Sequence, residues 1–417
     1  MGGAGLVASS AIPGPSARLV GGNVPIGVGA TDRLDVQAHN SPTLVANPKD
    51  AANLAVVNRI DHPAFSCSLQ VSLDGGANWA ASPIPRPDGR TVGCFSPDAA
   101  FGADGTLYLS FTSFNAVEGR GTVPDGVWVA TSGDGGRTIS PPVLAAGPDA
   151  YQVRLAADPV RKRRLYLSWV EARQTSRWGF VDTDNPVLSS RSEDGGATWS
   201  APVRVNPPAR RRVVGPSPAA GPDGALYLAY LDVGEDRLDY TGAHDGQGGD
   251  PYPGPWSLVV ARSLDGGATW REAVVAPDLV PTRRFIQIFP PSPSLAMDRG
   301  GRVYAGFDDG RLGDADVWVW SSPDGMSWGP GRRVNDTRPR DGRSQYLAGL
   351  AVSPAGRLDV VYYDRRSDPD DLANSVSLQS SFDEGRTFTR RLALTDRPFD
   401  SRIGFGRERE MTDLGNR

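Results

Sequence analysis

One short motif recurs six times along the 417-residue chain and constrains its fold more than any other feature. In the copy SLDGGATW an aspartate is followed by two glycines and a closing tryptophan, and successive aspartates are separated by 60, 60, 71, 59 and 59 residues. A nearly constant period of this size is typical of a repeat architecture. The copies of this repeat motif are SLDGGANW at 72–79, SGDGGRTI at 132–139, SEDGGATW at 192–199, SLDGGATW at 263–270, SPDGMSW at 322–328 and SFDEGRTF at 381–388.

The composition of the repeat motif predicts a tight turn. The aspartate carboxylate can accept backbone N–H bonds within its own turn, and glycine adopts positive φ without steric cost. The aromatic residue that closes five of the six copies can pack its ring under that turn. We therefore interpret the repeat motif as a structural staple of a β-hairpin rather than as a catalytic element.

Each repeat also follows one pattern of strands, which we label A to D. Strand A leads through a turn to strand B, a variable loop follows, strand C ends in the repeat motif, and a short strand D closes the repeat. Four antiparallel strands in each of six repeats predict an all-β fold, a six-bladed β-propeller, and 50 Gly and 36 Pro agree with so many turns. The B strands are LAVVN at 54–58, LYLSF at 107–111, LYLSW at 165–169, LYLAY at 226–230, VYAGF at 303–307 and LDVVY at 358–362. The expected domains are an N-terminal arm at 1–40, the propeller at 41–396 and a C-terminal tail or linker at 397–417.

The repeat motif resembles the Asp-box, or BNR repeat, of sialidase-like β-propellers in the neuraminidase superfamily. Six copies in register make the resemblance specific, and together they cover residues 41–395. The resemblance implies one Asp-box per blade and an activity on a carbohydrate or glycoconjugate.

Charge and cysteine content limit the partners and the compartment. A formal net charge of −4 leaves no basic surface for nucleic acid, and no apolar run is long enough to span a membrane. Residues 1–12 are small and apolar, as at the end of a signal peptide. Cys67 and Cys94 precede neighbouring strands of blades one and two, so we predict a disulfide between them and a secreted or extracytoplasmic protein. No Cys/His spacing indicates a metal, and no cofactor is expected.

One face of the propeller carries the candidate site. Because strand direction alternates, the starts of the A strands and the B–C loops share a face, which we call the variable face, and the repeat motifs lie on the other. Variable loops on a rigid scaffold are where function is usually carried. The longest B–C loop spans 232–255 in blade four, and the three histidines, His39, His62 and His244, all map to this face.

A carboxylate recurs where strand B ends, and arginines follow it. The carboxylates could pair with the arginines to pin neighbouring blades, or both could line a central funnel that holds a polyhydroxylated or anionic ligand. Residues that do not recur, Asp61, His62, Tyr346 and His244, are better functional candidates. The recurring carboxylates are Glu171, Asp232, Asp309 and Asp364, and the arginines are Arg59, Arg173, Arg311, Arg365 and Arg366.

The resemblance assigns some of these residues roles. The family opens its first blade with an arginine that grips the substrate carboxylate, but the matching position here is Asn40. The general acid of the family lies in the first B–C loop, where Asp61 and His62 stand. Its tyrosine nucleophile begins the last A strand, within one residue of Tyr346. Candidates for the other substrate arginines are Arg154, Arg343 and Arg365.

Two hypotheses of function result. The first is a secreted sialidase-like glycosidase with Asp61 as acid/base and Tyr346 as nucleophile, assisted by a carboxylate such as Glu171 or Asp232. Because the first-blade arginine is missing, a sugar other than sialic acid is an equal alternative, and a uronate lyase using His62 or His244 is a variant. The second is a non-catalytic propeller that binds a glycan or protein on the same face. The expected substrate-binding residues are Arg59, His62, Arg154, Arg173, His244, Asp309, Arg311, Arg343, Asp364 and Arg365.

Overall fold

The protein is an all-β, six-bladed β-propeller, as the repeat predicted. In the computed structural model each blade is a separate sheet of four antiparallel strands that follow one another along the chain. None of the described residues forms a helix of the length and hydropathy that crossing a bilayer requires. The structure describes residues 22–24, 26, 39–60, 66–87, 93–117, 121–172, 175–176, 179–180, 184–236, 252–282 and 292–400.

The first three blades contain strands β1 to β14. Blade one consists of β1 His39–Asn47, β2 Asp50–Ile60, β3 Ser66–Ser72 and β4 Ala80–Ser82. Blade two consists of β5 Gly93–Phe101, β6 Leu107–Val117, β7 Gly121–Ser132 and β8 Val143–Ala146. Blade three consists of β9 Ala150–Ala157, β10 Leu165–Glu171, β13 Val187–Ser192 and β14 Val203–Arg204, and its B–C loop contains a small hairpin of β11 Thr175–Ser176 and β12 Gly179–Phe180.

The last three blades contain strands β15 to β27. Blade four consists of β15 Val213–Ala220, β16 Leu226–Asp232, β17 Trp256–Ser263 and β18 Arg271–Leu279. Blade five consists of β19 Ser294–Met297, β20 Val303–Asp309, β21 Asp316–Ser322 and β22 Arg332–Arg333. Blade six consists of β23 Gln345–Val352, β24 Leu358–Asp364, β25 Ala373–Ser381 and β26 Leu392–Ala393, and β27 Phe399–Asp400 also pairs with β25.

The core lies between the faces of neighbouring blades. In strand B of blade four, Leu226, Tyr227 and Leu228 are all buried, although successive side chains of a strand point to opposite faces. Both faces are apolar because each blade packs against one neighbour on either side. This explains why the B strands are continuous runs of aliphatic and aromatic residues rather than alternating ones.

The repeat motif forms the turn between strands C and D in all six blades. In blade four the Ser263 hydroxyl donates to Asp265 (2.7 Å), whose carboxylate accepts from the Thr269 N–H (2.9 Å) and hydroxyl (2.6 Å). These bonds, the Thr269 hydroxyl first, lower the pKa of Asp265 to about 2. The Trp270 indole donates to the Gly267 carbonyl (3.1 Å) and covers the turn. The motif thus closes the hairpin through bonds made within its own eight residues.

A disulfide joins blades one and two, and hydrogen bonds join an N-terminal segment to blade six. The predicted disulfide between Cys67 and Cys94 is present and joins β3 of blade one to β5 of blade two. Near the chain ends, the Asn23 side chain donates to the Leu394 carbonyl (2.8 Å) and its backbone N–H to the Asp396 carboxylate (3.2 Å). Asp396 returns a bond from its own N–H to Asn23 (2.9 Å). Residues 22–24 therefore lie against the outer end of blade six.

Candidate functional site

A cavity of about 740 Å³ lies on the variable face between blades four, five and six. We call it the blade 4–6 pocket. Its walls are B–C loops, the end of strand D in blade four with the residues that follow it, and the segment before strand A of blade six, all on the face expected to carry function. The described lining comprises 252–255 and 278–282 from blade four, Gly310 and 313–315 from blade five, and Gly342, Ser344 and Asp371 from blade six.

Asp314, in the loop between β20 and β21, is the most distinctive carboxylate of the pocket. Its Oδ2 accepts from the backbone N–H groups of Gly342 (2.8 Å) and Arg343 (3.1 Å). Its Oδ1 is buried and has no hydrogen-bond donor among the described residues. Burial, and then the negative charge of Asp316, raise the pKa of Asp314. One of its oxygens is therefore fixed by the protein, while the other requires a donor.

Asp371, in the B–C loop of blade six, is the second carboxylate that the pocket wall holds, and its side chain is partly buried. It accepts from the N–H of Ser344 (2.8 Å) and from the hydroxyl of the same residue (2.7 Å). Burial raises the pKa of Asp371. Asp314 and Asp371 thus bind adjoining donors of the single segment 342–344, which brings two carboxylates from different blades to one wall of the pocket.

Tyr346 is not part of the pocket lining, and the expected carboxylate does not bind its hydroxyl. The side chain is buried, stacks on Tyr363 and donates its hydroxyl to the amide oxygen of Asn374. Burial raises its pKa. A β-bulge follows directly, since the register of β23 shifts between Tyr346 and Gly349 and Leu347 has positive φ. A bulge changes the direction of neighbouring side chains, and this explains the inward orientation of the ring.

The recurring carboxylates pair with arginines at the ends of the B strands. Asp309 accepts from the Arg311 guanidinium (2.8 Å), and Asp364 accepts from Arg366 (2.6 Å). Asp309 and Asp364 have no solvent exposure. Asp232 binds Arg210 (2.6 Å), which lies in the segment between β14 and β15. These carboxylates therefore form local ion pairs; Asp309 and Asp364 pair within their own blades rather than pinning neighbouring blades, as the structural interpretation expected.

The other predicted arginines among the described residues also contact protein groups. Arg59 lies 4.2 Å from the centre of the Phe95 ring, and Arg154 lies 3.3 Å from Asp98 of blade two. Arg343 donates to the Asp368 carbonyl. Arg365 is fully buried and donates to Asn374 (2.8 Å), and Arg311 also stacks on Trp318. Glu171 is the last residue of β10 and is partly exposed. The predicted site residues that lie outside the described residues are Asp61, His62, Arg173 and His244.

The structure thus brings together residues that the repeat did not single out. Asp314 lies five residues after the recurring carboxylate Asp309, and Asp371 lies seven residues after Asp364. Both are in loops rich in aspartate. This local enrichment in aspartate is the sequence feature that could have indicated the two residues. In the part of the chain that the structure describes, no three His, Cys, Asp or Glu side chains are grouped as a metal site would require.

Comparison with known proteins shows the fold. No protein-family model and no curated protein matches this sequence. A protein of unknown function from Dyadobacter fermentans is 16% identical, with 79% of this chain and 91% of that chain covered and a TM-score of 0.51. A polysaccharide lyase, an ulvan lyase, is 13% identical, with 88% and 87% covered and a TM-score of 0.53. A Hadza microbial sialidase is 18% identical, with 84% and 67% covered and a TM-score of 0.47. The first two of these likenesses show that solved structures share the fold of this chain.

Proposed function

We propose that this protein is a secreted propeller that recognises a carbohydrate in the blade 4–6 pocket. The observation that carries the proposal is the pocket itself, a cavity of about 740 Å³ with two partly buried carboxylates, the Ser344 hydroxyl and the Tyr252 ring in its lining. Carboxylates accept several hydrogen bonds each, as a sugar with many hydroxyl donors requires. An ulvan lyase with the same fold supports carbohydrate as the ligand class. The disulfide supports an oxidising compartment.

A variant that fills the pocket tests this proposal. Thr282 lines the pocket and is partly exposed, so Thr282→Trp places an indole in the cavity. Val143→Trp is the matched control, because Val143 is exposed on β8 of blade two. We expect wild type and the control to bind the same glycans on an array and Thr282→Trp to lose them. Equal binding by all three proteins would place the glycan site elsewhere and contradict the proposal.

Hydrolysis of a glycosidic bond in this pocket is the second candidate function. The observation that favours it is the pair formed by Asp314 and Asp371, two carboxyl groups of one wall whose pKa values are both raised by burial. A carboxyl whose pKa is raised by burial can donate a proton to a leaving oxygen, and a second carboxylate can activate water. In this mechanism Asp314 is the acid and Asp371 the base. The buried Tyr346 has no role as nucleophile in it.

Fluorogenic glycosides and polysaccharides distinguish the candidates. If the pocket is catalytic, Asp314→Asn should reduce kcat by about 10²-fold or more, the usual contribution of a general acid. Asp61→Asn is the informative comparison, because Asp61 holds the general-acid position in the sialidase resemblance. A loss in Asp61→Asn alone would return the acid to the first blade. No turnover by wild type on any substrate, together with binding on the array, would leave the non-catalytic function.

A further inference from the structure

We infer that a sugar ring of the ligand stacks on the Tyr252 ring of the blade 4–6 pocket, and that this ligand is a pyranose glycan with mainly equatorial hydroxyls, such as a β-linked glucan or xylan. The inference rests on the proposed function and names the substrate class for that same site. Three features support it: the fixed position of the Tyr252 ring, the anchoring of its segment and the apolar surface next to it.

The Tyr252 ring is held against the core of blade four. It lines the pocket, is partly exposed and packs on the buried cluster that contains Trp256 and Leu279. Gly254 leaves room for this position, since a Cβ at Gly254 would lie 2.5 to 2.7 Å from the Cε1, Oη and Cζ atoms of the ring. A ring that is already in place before binding loses little conformational entropy when a ligand contacts it.

The segment 252–255 that carries the ring is also anchored. Pro253 and Pro255 fix φ at their own positions. Trp256, the first residue of β17, is buried, and its indole donates to the buried Asp236 carboxylate (3.1 Å). The ring therefore stands on a backbone that is restrained both by its own residues and by the strand that follows.

An apolar surface continues from the ring. In the β17–β18 ladder Trp256 pairs with Leu279, so the segment 252–255 lies beside the end of β18. Val280 follows there, lines the pocket and is 44% exposed. Its carbonyl accepts from the Gly310 N–H of blade five (2.9 Å), which fixes its backbone. Blade four thus contributes an aromatic ring with exposed aliphatic surface next to it.

This surface matches the face of a pyranose ring. Equatorial hydroxyls point outward from the edge of the sugar, so its axial C–H bonds form flat apolar faces. The face of a tyrosine ring is the negative part of its quadrupole and attracts weakly positive C–H groups, and stacking also removes apolar area from water. A five-membered fructofuranose ring has substituents on both faces and lacks such a surface. Sugar sites commonly combine an aromatic lining with a few polar groups, here the Ser344 hydroxyl and Asp371 of blade six.

Calorimetric titration of the full chain with three neutral probes tests the inference. The probes are cellotetraose and xylotetraose, which have flat pyranose faces, and inulin-derived fructotetraose, which does not. We expect wild type to bind at least one of the first two, and fructotetraose at least about tenfold more weakly. Tyr252→Phe keeps the ring and should bind like wild type, whereas Tyr252→Ala should bind about tenfold more weakly or worse, as for other aromatic anchors. Proton NMR signals of the bound sugar C–H groups should shift upfield in the ring current of Tyr252, and this shift should be lost in Tyr252→Ala.

Gly254→Ala moves the ring without removing it. Gly254 does not have positive φ, so the added methyl group acts on the Tyr252 ring and not on the backbone conformation. We expect this variant to lose the upfield shifts and to bind both pyranose probes more weakly than wild type. Gly147→Ala is the matched control, because a Cβ there meets nothing within 4 Å, and it should bind like wild type.

The outcomes separate the inference from the proposed function. Wild-type affinity in both Tyr252→Ala and Gly254→Ala would overturn the inference, and so would binding of fructotetraose or of other glycans in preference to the two pyranose probes. In each case loss of binding in Thr282→Trp would still support the proposed function. If wild type binds no glycan at all, both are wrong.

Discussion

Asp308 provides a stringent test of the packing between blades five and six. It lies on β20, is almost fully buried, and accepts from the backbone N–H of Leu347 on β23 (3.3 Å). Burial, opposed by that N–H and reinforced by the charge of Asp309, raises the pKa of Asp308 to about 7. Asp308→Asn keeps an oxygen that can accept from Leu347 and removes the charge. We expect this variant to be more stable than wild type, and increasingly so as pH rises.

The size of the effect follows from proton linkage. The ordinary pKa of 3.8 applies to the unfolded chain, so between about pH 4 and pH 7 the folded protein binds more protons than the unfolded one. Stability therefore falls as pH rises through this window. At about 1.4 kcal/mol per pKa unit, the raised pKa of Asp308 costs about 4 kcal/mol of stability at pH 8, where the folded side chain is ionised, and about 1.5 kcal/mol at pH 5, where only the unfolded chain is ionised. Asp308→Asn should thus gain about 2.5 kcal/mol more at pH 8 than at pH 5.

Urea unfolding of wild type and Asp308→Asn at the two pH values measures this difference directly. Other titrating groups contribute equally to both proteins and cancel in the comparison. Glu235→Gln, a carboxylate-to-amide change at an exposed residue, should show no pH-dependent gain. If Asp308→Asn differs from wild type by the same amount at pH 5 and pH 8, Asp308 does not titrate as described, and its placement between the blades is wrong.

Three further predictions concern the staples of the fold. Replacing Cys67 and Cys94 with alanine should cost about 3.5 kcal/mol in unfolding free energy, as the loop-entropy model gives for a separation of 27 residues, and a cost near zero in denaturant melts would contradict it. Gly136→Ala should destabilise the protein, because φ is +97° and a Cβ would lie 2.5 Å from a valine methyl of blade one. Gly133→Ala is the control, since a Cβ there meets nothing within 4 Å. Equal melting temperatures of the two variants would refute this reasoning. Trp270→Ala should cost about 3 kcal/mol, at the lower end of the range for buried aromatics because the ring is only partly buried, and a neutral result would refute the staple role of the motif.

The architecture was predictable because its determinants are local. Each repeat motif forms its turn from bonds among its own residues, as Asp265 and Thr269 illustrate. The turn can therefore be recognised in a short stretch of sequence without the rest of the chain. The B strands can be recognised in the sequence for a related reason, since burial on both faces leaves few polar residues in runs such as LYLAY at 226–230. Six copies then fix the number of blades without any knowledge of how the blades pack.

The backbone conformation of the A strands was less predictable. Several contain a bulge at a non-glycine residue with positive φ, a conformation that local preference disfavours and only tertiary contacts enforce. The bulge at Leu347 directs the ring of the preceding Tyr346 into the blade, and no sequence pattern signals it. Side-chain direction next to such a bulge is therefore a property of the assembled ring.

The pocket could not be found from the repeat for a different reason. The repeated aspartates and arginines, such as Asp364 and Arg366, form local ion pairs near the ends of B strands, so their recurrence indicates structure. Asp314 and Asp371 occur once each, in loops of unrelated sequence, and meet only because both bind the segment 342–344. That meeting depends on the packing of blade five against blade six, which local sequence does not describe.

The contact of Asn23 with blade six has a consequence for the order of folding. The bonded residues Asn23 and Asp396 are 373 positions apart. During synthesis from the N-terminus, Asn23 emerges before any blade exists, and its partners emerge after all but the end of the sixth. Each blade can pair its own strands as soon as it leaves the ribosome, because those contacts are local, but this tie has to wait for nearly the whole chain. Its formation therefore marks the end of assembly, and a fluorescent pair placed at the two segments would report completion of the ring separately from formation of its blades.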